Sequence, residues 1–298
     1  MTPADLQTLL AAVTAQLADP QVTGVVITHG TDTLEETALF LHLFHADPRP
    51  VVLTGAIRPA DDPRPDGPAN LLDAIRVAGS PGSRGRGVLV SFDGQVWAAA
   101  GTRKVDTTAP AAFASPDFGP LAAITERGGP VFTSGAPPRW SAGLAHPAAD
   151  MPMPRVDIVA VYPGADTTAM YAFTGAGIGA RGLVLEGTGS GNTPAQFTAA
   201  VAELSAAGVV IALSTRVHGG PVDPLYGGAG GGRELVEAGA VSTGWLRASQ
   251  ARIALMALLA GEQDPHRVRT RLAGWAAVPG AWAAAPRSPA VSGHHARR

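Results

Sequence analysis

Short apolar runs that stop at Gly- or Thr-rich turns, each followed by a helical pattern, restrict this chain more than any other feature. Val25 to Thr28, Pro50 to Gly55, Gly87 to Phe92, Val156 to Tyr162, Gly182 to Gly187 and Val209 to Ser214 are such runs. Between them apolar residues recur at helical spacing, as in Leu6, Leu9, Leu10, Val13 and Leu17, or Leu34, Ala38 and Leu41. Strand-length runs alternating with helices predict an α/β architecture with neighbouring strands parallel. Helices are expected over 4–18, 69–78, 194–207, 249–260 and 265–276. Asp93-Gly94 is a type I′ hairpin signal, so Gln95 to Ala99 should return antiparallel to the run before it. Lys104 then falls in a loop just past that hairpin. A composition break at 136–154, with Pro137, Pro138, Pro147, Pro152 and Pro154, reads as a linker between domains at 1–135 and 155–298. The tail from Pro279 is expected to be mobile.

One of these strand-to-helix junctions is unusually rich in chemistry. After the buried strand expected at Val25 to Thr28 come His29, Gly30, Thr31, Asp32 and Thr33, then a helix. In open α/β sheets ligands bind at the carboxyl ends of the strands, where this loop lies. Thr33 is the expected N-cap, with Glu36 three residues later completing a capping box. Capping needs one or two such residues, and this loop holds Thr28, Thr31, Asp32 and Thr33. His29 reads as a structural hydrogen-bonder rather than a general base. A base is offered elsewhere: of the 22 basic side chains, Lys104 is the single lysine. Arg stays protonated in a protein, whereas a partly buried Lys can give up its proton. Lys104 is therefore a catalytic candidate on residue chemistry alone.

Other constellations carry less. A net charge of -2 gives no electrostatic footprint for nucleic acid or an acidic membrane. With Cys 0, disulfides and thiol catalysis are excluded in this sequence. No run of about 18 apolar residues is present. The eight His lack the paired spacing of a metal-binding helix, and His294 and His295 lie in the tail, so no metal is expected. Gly187-Thr188-Gly189-Ser190-Gly191-Asn192 imitates a dinucleotide fingerprint but has Asn192 where the last Gly belongs, and no acid ends the next strand. It reads as a βα loop whose backbone closely approaches a neighbour. The glycines from Gly227 to Gly232 lack the Lys-Ser/Thr of a phosphate loop and read as a flexible surface loop. No Gly-x-Ser-x-Gly elbow supports a serine triad.

The residues at these positions resemble a known family. Thr28-His29-Gly30-Thr31-Asp32-Thr33-Leu34-Glu35-Glu36-Thr37-Ala38 resembles the second signature of bacterial-type L-asparaginases. Val52 to Pro59 resembles the family's strand carrying Gly-Ala-x-Arg-Pro, and Asp66 to Leu71 its Asp-Gly-Pro-x-Asn-Leu helix start. Lys104 with Thr107-Thr108, then Phe113 and Phe118 to Leu121, is similar to its lysine segment. Gly187 to Asn192 and Ser214 to Val217 are similar to its C-terminal loops. The resemblance covers nearly the whole chain. It implies a two-domain α/β fold: a larger N-terminal doubly wound, mainly parallel sheet, truncated at its start, and a smaller C-terminal α/β domain.

The resemblance also implies an activity, the hydrolysis of L-asparagine to L-aspartate and ammonia without cofactor or metal. Glutamine is the further candidate substrate. Thr31 would be the threonine nucleophile or water-activator, Lys104 its base, and Asp32 the residue that orients Lys104 and holds the substrate amino group. The Ala56 carbonyl would lie near the substrate amide, and Asn192 would contact the site of a partner subunit in a homodimer or homotetramer. A cytoplasmic location is expected, with a leader upstream of Met1 left open. The family's opening Thr-Gly-Gly-Thr-Ile segment, with its own threonine nucleophile, has no counterpart before Met1. The expectation is a start assigned downstream of the true one, or a short form with impaired activity. Two alternatives remain open at this stage: the ammonia-releasing subunit of a tRNA-dependent amidotransferase, and a catalytically silent small-molecule-binding relative.

Overall fold

The computed structural model describes residues 1–125, 128–133, 144–147 and 151–276. Most of the expected linker at 136–154 and the whole of the tail from Pro279 lie outside the described residues.

The chain begins with helix α1 (Pro3–Ala18), entered through a capping box in which Thr2 and Asp5 exchange hydrogen bonds. Strand β1 (Val25–Thr28), helix α2 (Leu34–Phe44) and strand β2 (Val51–Thr54) form the expected βαβ unit, with β1 and β2 parallel and Thr28 opposite Thr54. Helix α3 (Gly67–Gly79) leads to β3 (Val88–Phe92), and β4 (Gln95–Ala98) returns antiparallel. Asp93 and Gly94 both have positive φ, 48° and 71°, as the type I′ turn requires. Two-residue strands β5 (Arg103–Lys104) and β6 (Phe113–Ala114) pair with each other. Lys104 thus sits in a short strand, not in the expected loop. Strands β7 (Ala122–Ile124) and β8 (Pro130–Phe132) complete a mixed six-stranded sheet of order β1-β2-β3-β4-β7-β8.

The second half holds β9 (Val156–Ala160), α4 (Thr168–Thr174), β10 (Gly182–Gly187), α5 (Gln196–Ala206), β11 (Val210–Thr215), α6 (Gly232–Glu237), β12 (Val241–Ser242), α7 (Ala248–Gly261) and α8 (Pro265–Ala276). Its four strands are all parallel, in the order β12-β11-β10-β9. The architecture is a larger N-terminal domain on a mixed sheet and a smaller C-terminal domain on a parallel one.

Strand alternation distributes the core. In β2, Val51 and Leu53 face a central cluster while Val52 faces the apolar side of α3. In the second sheet, Val184, Val210 and Ala212 join that same central cluster, and Leu183, Leu185, Ile211 and Leu213 face the opposite layer. Both sheets therefore share one core, filled by α2 and α7. Residues Ile253 to Leu259 of α7 are all buried, as expected for a helix apolar on every side. The two halves are not two independent cores.

Strand β1 departs from its expected full burial. It lies at the edge of its sheet with β2 as its neighbour, so Val25, Val26 and Ile27 are only half-buried.

Candidate active site

The loop after β1 winds into a single 3-10 turn at Thr31–Thr33 before α2 begins. Thr33 is the N-cap by position, but its φ and ψ of -126° and 19° are not extended and its side chain caps nothing. The expected capping box with Glu36 does not form. Instead the loop is tied back by Thr37, whose hydroxyl lies 3.0 Å from the Thr33 carbonyl and 3.1 Å from His29 Nε2. His29 Nδ1 donates to the Gly30 carbonyl at 2.6 Å, and its Nε2 lies against the Thr37 hydroxyl. His29 thus makes hydrogen bonds within its own loop and to α2, the kind of contact expected of it.

Lys104 reaches this loop from 73 residues away. Its Nζ donates to Thr31 Oγ1 at 2.9 Å and to Asp32 Oδ1 at 2.8 Å. The lysine side chain is 19% exposed and that of Asp32 92%. The cluster is therefore anchored on a mostly buried stem and opens to solvent on the aspartate side. The Lys104 hydrogen bond, and then its charge, hold the Asp32 carboxyl below its ordinary value.

Neighbouring residues on a strand point to opposite faces, so Arg103 turns away from this loop. Its guanidinium bonds Asp117 Oδ2 at 3.1 Å, with Arg247 3.9 Å from the same oxygen. Asp117 Oδ1 accepts the Gly220 N–H at 2.7 Å. Burial, and then the nearby Arg103 charge, push Arg247 down to about 10. This cluster fastens β5 to the C-terminal domain.

The end of β2 forms the adjoining wall. A Cβ added to Gly55 would lie 2.4 Å from the His29 carbonyl and 3.4 Å from the Thr31 methyl, so only glycine permits this packing. Asn70, which is buried, donates from Nδ2 to the Gly55 carbonyl at 3.0 Å and accepts the Asp93 N–H at 3.0 Å. Asp66 accepts the N–H groups of Ile57 and Arg58 at 3.1 and 2.9 Å. The Asp66-Gly67-Pro68-x-Asn70 motif thus braces residues 55–58 and holds exposed Ala56 beside the Thr31 loop. Beyond Ala56 a cavity of about 330 Å³ is lined by residues 56–60, 65, 67 and 68.

Asn192 is placed differently. The Gly187–Asn192 loop folds on itself, with Thr188 and Asn192 exchanging backbone hydrogen bonds of 2.8 Å each way. Asn192 Oδ1 accepts the Gly232 N–H at 3.2 Å. Among the described residues its side chain makes no hydrogen bond to the Thr31–Lys104 cluster. The glycine run that follows is only partly the flexible surface loop expected. Gly227 to Ala229 are exposed, but Gly230 to Gly232 are buried at the start of α6, where an added Cβ would strike backbone atoms.

Fold and site together define a class: two α/β domains on a shared core, with a Thr–Lys–Asp cluster at the carboxyl end of a parallel strand. Residues 1–136 match the family model described as Asparaginase, N-terminal, and residues 155–272 the Glutaminase/Asparaginase C-terminal domain. The chain belongs to the asparaginase/glutaminase family. A probable L-asparaginase of Deinococcus radiodurans is 42% identical over 275 residues, which is 91% of this chain and 82% of that protein. L-asparaginase 2 of Bacillus subtilis is 31% identical over 85% of this chain, which spans 65% of that relative's length. A glutaminase-asparaginase of Pseudomonas fluorescens is 36% identical over 69% of this chain and 56% of its own. The crystal structure of a probable cytoplasmic L-asparaginase from Campylobacter jejuni superposes with a TM-score of 0.78 at 30% identity, covering 91% of this chain and 84% of the other.

Proposed function

We propose that this chain hydrolyses the side-chain amide of L-asparagine to L-aspartate and ammonia, with Thr31, Lys104 and Asp32 as its catalytic residues. The observation that carries the reading is the bridging position of Lys104 Nζ, 2.9 Å from a threonine hydroxyl and 2.8 Å from a carboxylate. A threonine hydroxyl is a weak nucleophile until a neighbouring base takes its proton. Lys104, after passing one ammonium proton to solvent, takes the hydroxyl proton, and Thr31 Oγ1 bonds to the amide carbon. The C–N bond then breaks, and the nitrogen leaves as ammonia with the proton returned by Lys104. Water, deprotonated in turn by Lys104, cleaves the resulting ester. In the variant route Lys104 activates the water directly. Asp32 orients Lys104, and its exposed oxygen is free to hold the substrate's α-ammonium group. The Ala56 carbonyl faces the amide end of the substrate.

The names of the relatives support the substrate class, and the Pseudomonas relative makes L-glutamine the second candidate. Asn192 joins the site from a second copy of the chain. The exposed apolar residues Leu71, Leu72 and Ile75 of α3 and Leu225 and Tyr226 beyond β11 are surface that such an assembly would cover. A cytoplasmic location accompanies the proposal, in keeping with the name of the Campylobacter neighbour. The decisive experiment is ammonia release from L-asparagine and L-glutamine by the purified chain and by Lys104→Arg. Turnover that disappears in Lys104→Arg supports the cluster. Turnover that survives it removes Lys104 from the chemistry.

A further inference from the structure

Lys104 lies in a strand of two residues paired with another of two, and so small a ladder cannot by itself fix a side chain. The main chain of Lys104 is held by something else. Its N–H donates to Glu35 Oε2 at 2.6 Å, a bond that spans 69 residues and is shortened by the carboxylate charge. Glu35 is the second residue of α2, immediately after the turn that carries Thr31 and Asp32. Lys104 is thus gripped at both ends by one stretch of chain: its Nζ by residues 31 and 32, its backbone by residue 35.

Glu35 is itself held from the C-terminal domain. Ser249 at the start of α7 donates its hydroxyl to Glu35 Oε1 at 2.7 Å. Gln250, 3% exposed, donates to the Glu35 carbonyl at 3.2 Å, to Ala99 O at 2.8 Å and to Thr102 O at 3.1 Å. Its Oε1 accepts the Gly101 N–H at 2.8 Å. The turn that carries the chain from β4 into β5 is therefore closed around a glutamine side chain of α7. Both oxygens of Glu35 are committed, one to the base and one to α7, so the carboxylate works as a spacer of fixed length between them.

We propose that Glu35 is a positioning residue for the reaction: with Ser249 and Gln250 behind it, it sets the position of the Lys104 backbone and hence the reach of Nζ to Thr31. The functional half of this statement rests on the assignment of Lys104 as base. A base displaced by about 1 Å loses up to about a hundredfold in rate, while the substrate contacts made by Asp32 are untouched. The expected signature is a fall in kcat with little change in KM.

The single lysine makes the contact directly observable. Protein labelled with ¹⁵N-lysine gives one backbone amide resonance, that of Lys104. In the parent this proton should lie far downfield and exchange slowly with solvent. In Glu35→Ala it should move upfield and exchange at least about tenfold faster. Glu35→Gln keeps an acceptor oxygen and should restore most of the protection. In parallel, Glu35→Ala should lose about ten- to a hundredfold in kcat on L-asparagine with KM within about threefold, and Glu35→Gln should recover most of that loss. Ser249→Ala, which leaves Glu35 in place, should give a smaller shift of the same resonance. The proposal is overturned by a Lys104 amide indifferent to residue 35, or by a Glu35→Ala enzyme whose kcat per folded molecule equals that of the parent. If the parent releases no ammonia, the catalytic reading of Lys104 fails, and the amide experiment still decides whether Glu35 holds the lysine.

Discussion

Two loops occupy equivalent places in the two sheets, and they have been put to different uses. The loop after β1 and the loop after β10 both leave the carboxyl end of a parallel strand and enter a helix, the position where α/β proteins bind ligands. The first points hydroxyls and a carboxylate outward and receives a lysine from a distant strand. The second turns inward. Gly187 lies against the Gly191 backbone, where an added Cβ would come within 2.9 Å, and a Thr188–Asn192 backbone bridge closes the loop. Thr215 adds a 2.6 Å hydrogen bond to the Gly189 carbonyl. Topology supplies the place in both cases. What differs is the partner: Thr31 and Asp32 meet a lysine from a distant strand, whereas the second loop is closed by hydrogen bonds to its own backbone.

The largest effect should come from the residue that separates the two loops chemically. Lys104→Ala removes the group proposed to take a proton from Thr31, and should lower kcat by about a thousandfold, within the range typical of a general base. The C-terminal domain should not register the change, so the melting temperature should stay close to that of the parent. In the same variant the Asp32 carboxyl loses the ammonium that depresses it. Its titration, followed by NMR, should return toward the ordinary value of 3.8. An Asp32 that still titrates low would mean that the loop itself, and not Lys104, sets its charge.

Next comes the clamp that lets one loop depend on the other domain. Asp117→Ala would leave Arg103 and Arg247 facing each other while more than nine-tenths buried. Removing one partner of a buried charge cluster costs about 3–5 kcal/mol. Denaturant unfolding should show a loss of that size, and Asp117→Asn, which can still accept from Gly220, should lose less. A change below about 1 kcal/mol would mean that water enters freely between the two guanidinium groups.

Asn192→Ala tests the closed loop. It removes the acceptor for the Gly232 N–H, a hydrogen bond worth about 1 kcal/mol to stability. If Asn192 also reaches the site of a second copy, KM for L-asparagine should rise roughly tenfold with kcat unchanged, and light scattering should find more than one chain per particle. An unchanged KM would make the second loop wholly structural and sharpen the contrast between the two.

Much of this arrangement was legible in the sequence. The strands and helices with strong periodicity appear where expected, because a buried strand or an amphipathic helix writes its own pattern. Lys104 was legible through composition, as the lone lysine among arginines. What escaped has physical reasons. Strands β7, β8 and β12 and helices α4 and α6 are too short to show a period. That the two domains share a core depends on α7 packing in one cluster with residues of both sheets, which nothing local in its sequence marks. The roles of Glu35 and Gln250 depend on contacts 69 and 148 to 215 residues apart, and nothing local marks them. Thr33 misled because a Thr three residues before a Glu is a capping signature only if the Thr backbone is extended. Here the 3-10 turn that presents Thr31 and Asp32 takes precedence over the cap.

The same conflict yields the smallest prediction. Freed from the capping box, Glu36 is turned into a half-buried position beside Glu35. Burial first, and the Glu35 charge second, raise its carboxyl above the ordinary value of 4.5, with Arg252 only partly compensating. A carboxyl raised by folding binds its proton more tightly in the native state, so native stability falls as pH rises through 4.5 and the penalty is complete above the folded value. Replacing the carboxylate by an amide of the same shape removes that penalty. Glu36→Gln should therefore stabilise the protein at neutral pH, by no more than about 0.5 kcal/mol. The gain should vanish below pH 4.5, where parent and variant are equally uncharged at this position. Helix α5, after the closed loop, begins at the exposed Gln196, so Gln196→Glu should show no matching pH dependence. A Glu36→Gln variant that is less stable than the parent at neutral pH would mean that this carboxylate is held by Arg252, and that the acidic start of α2 is a stabilising feature, not a consequence of presenting Thr31 and Asp32.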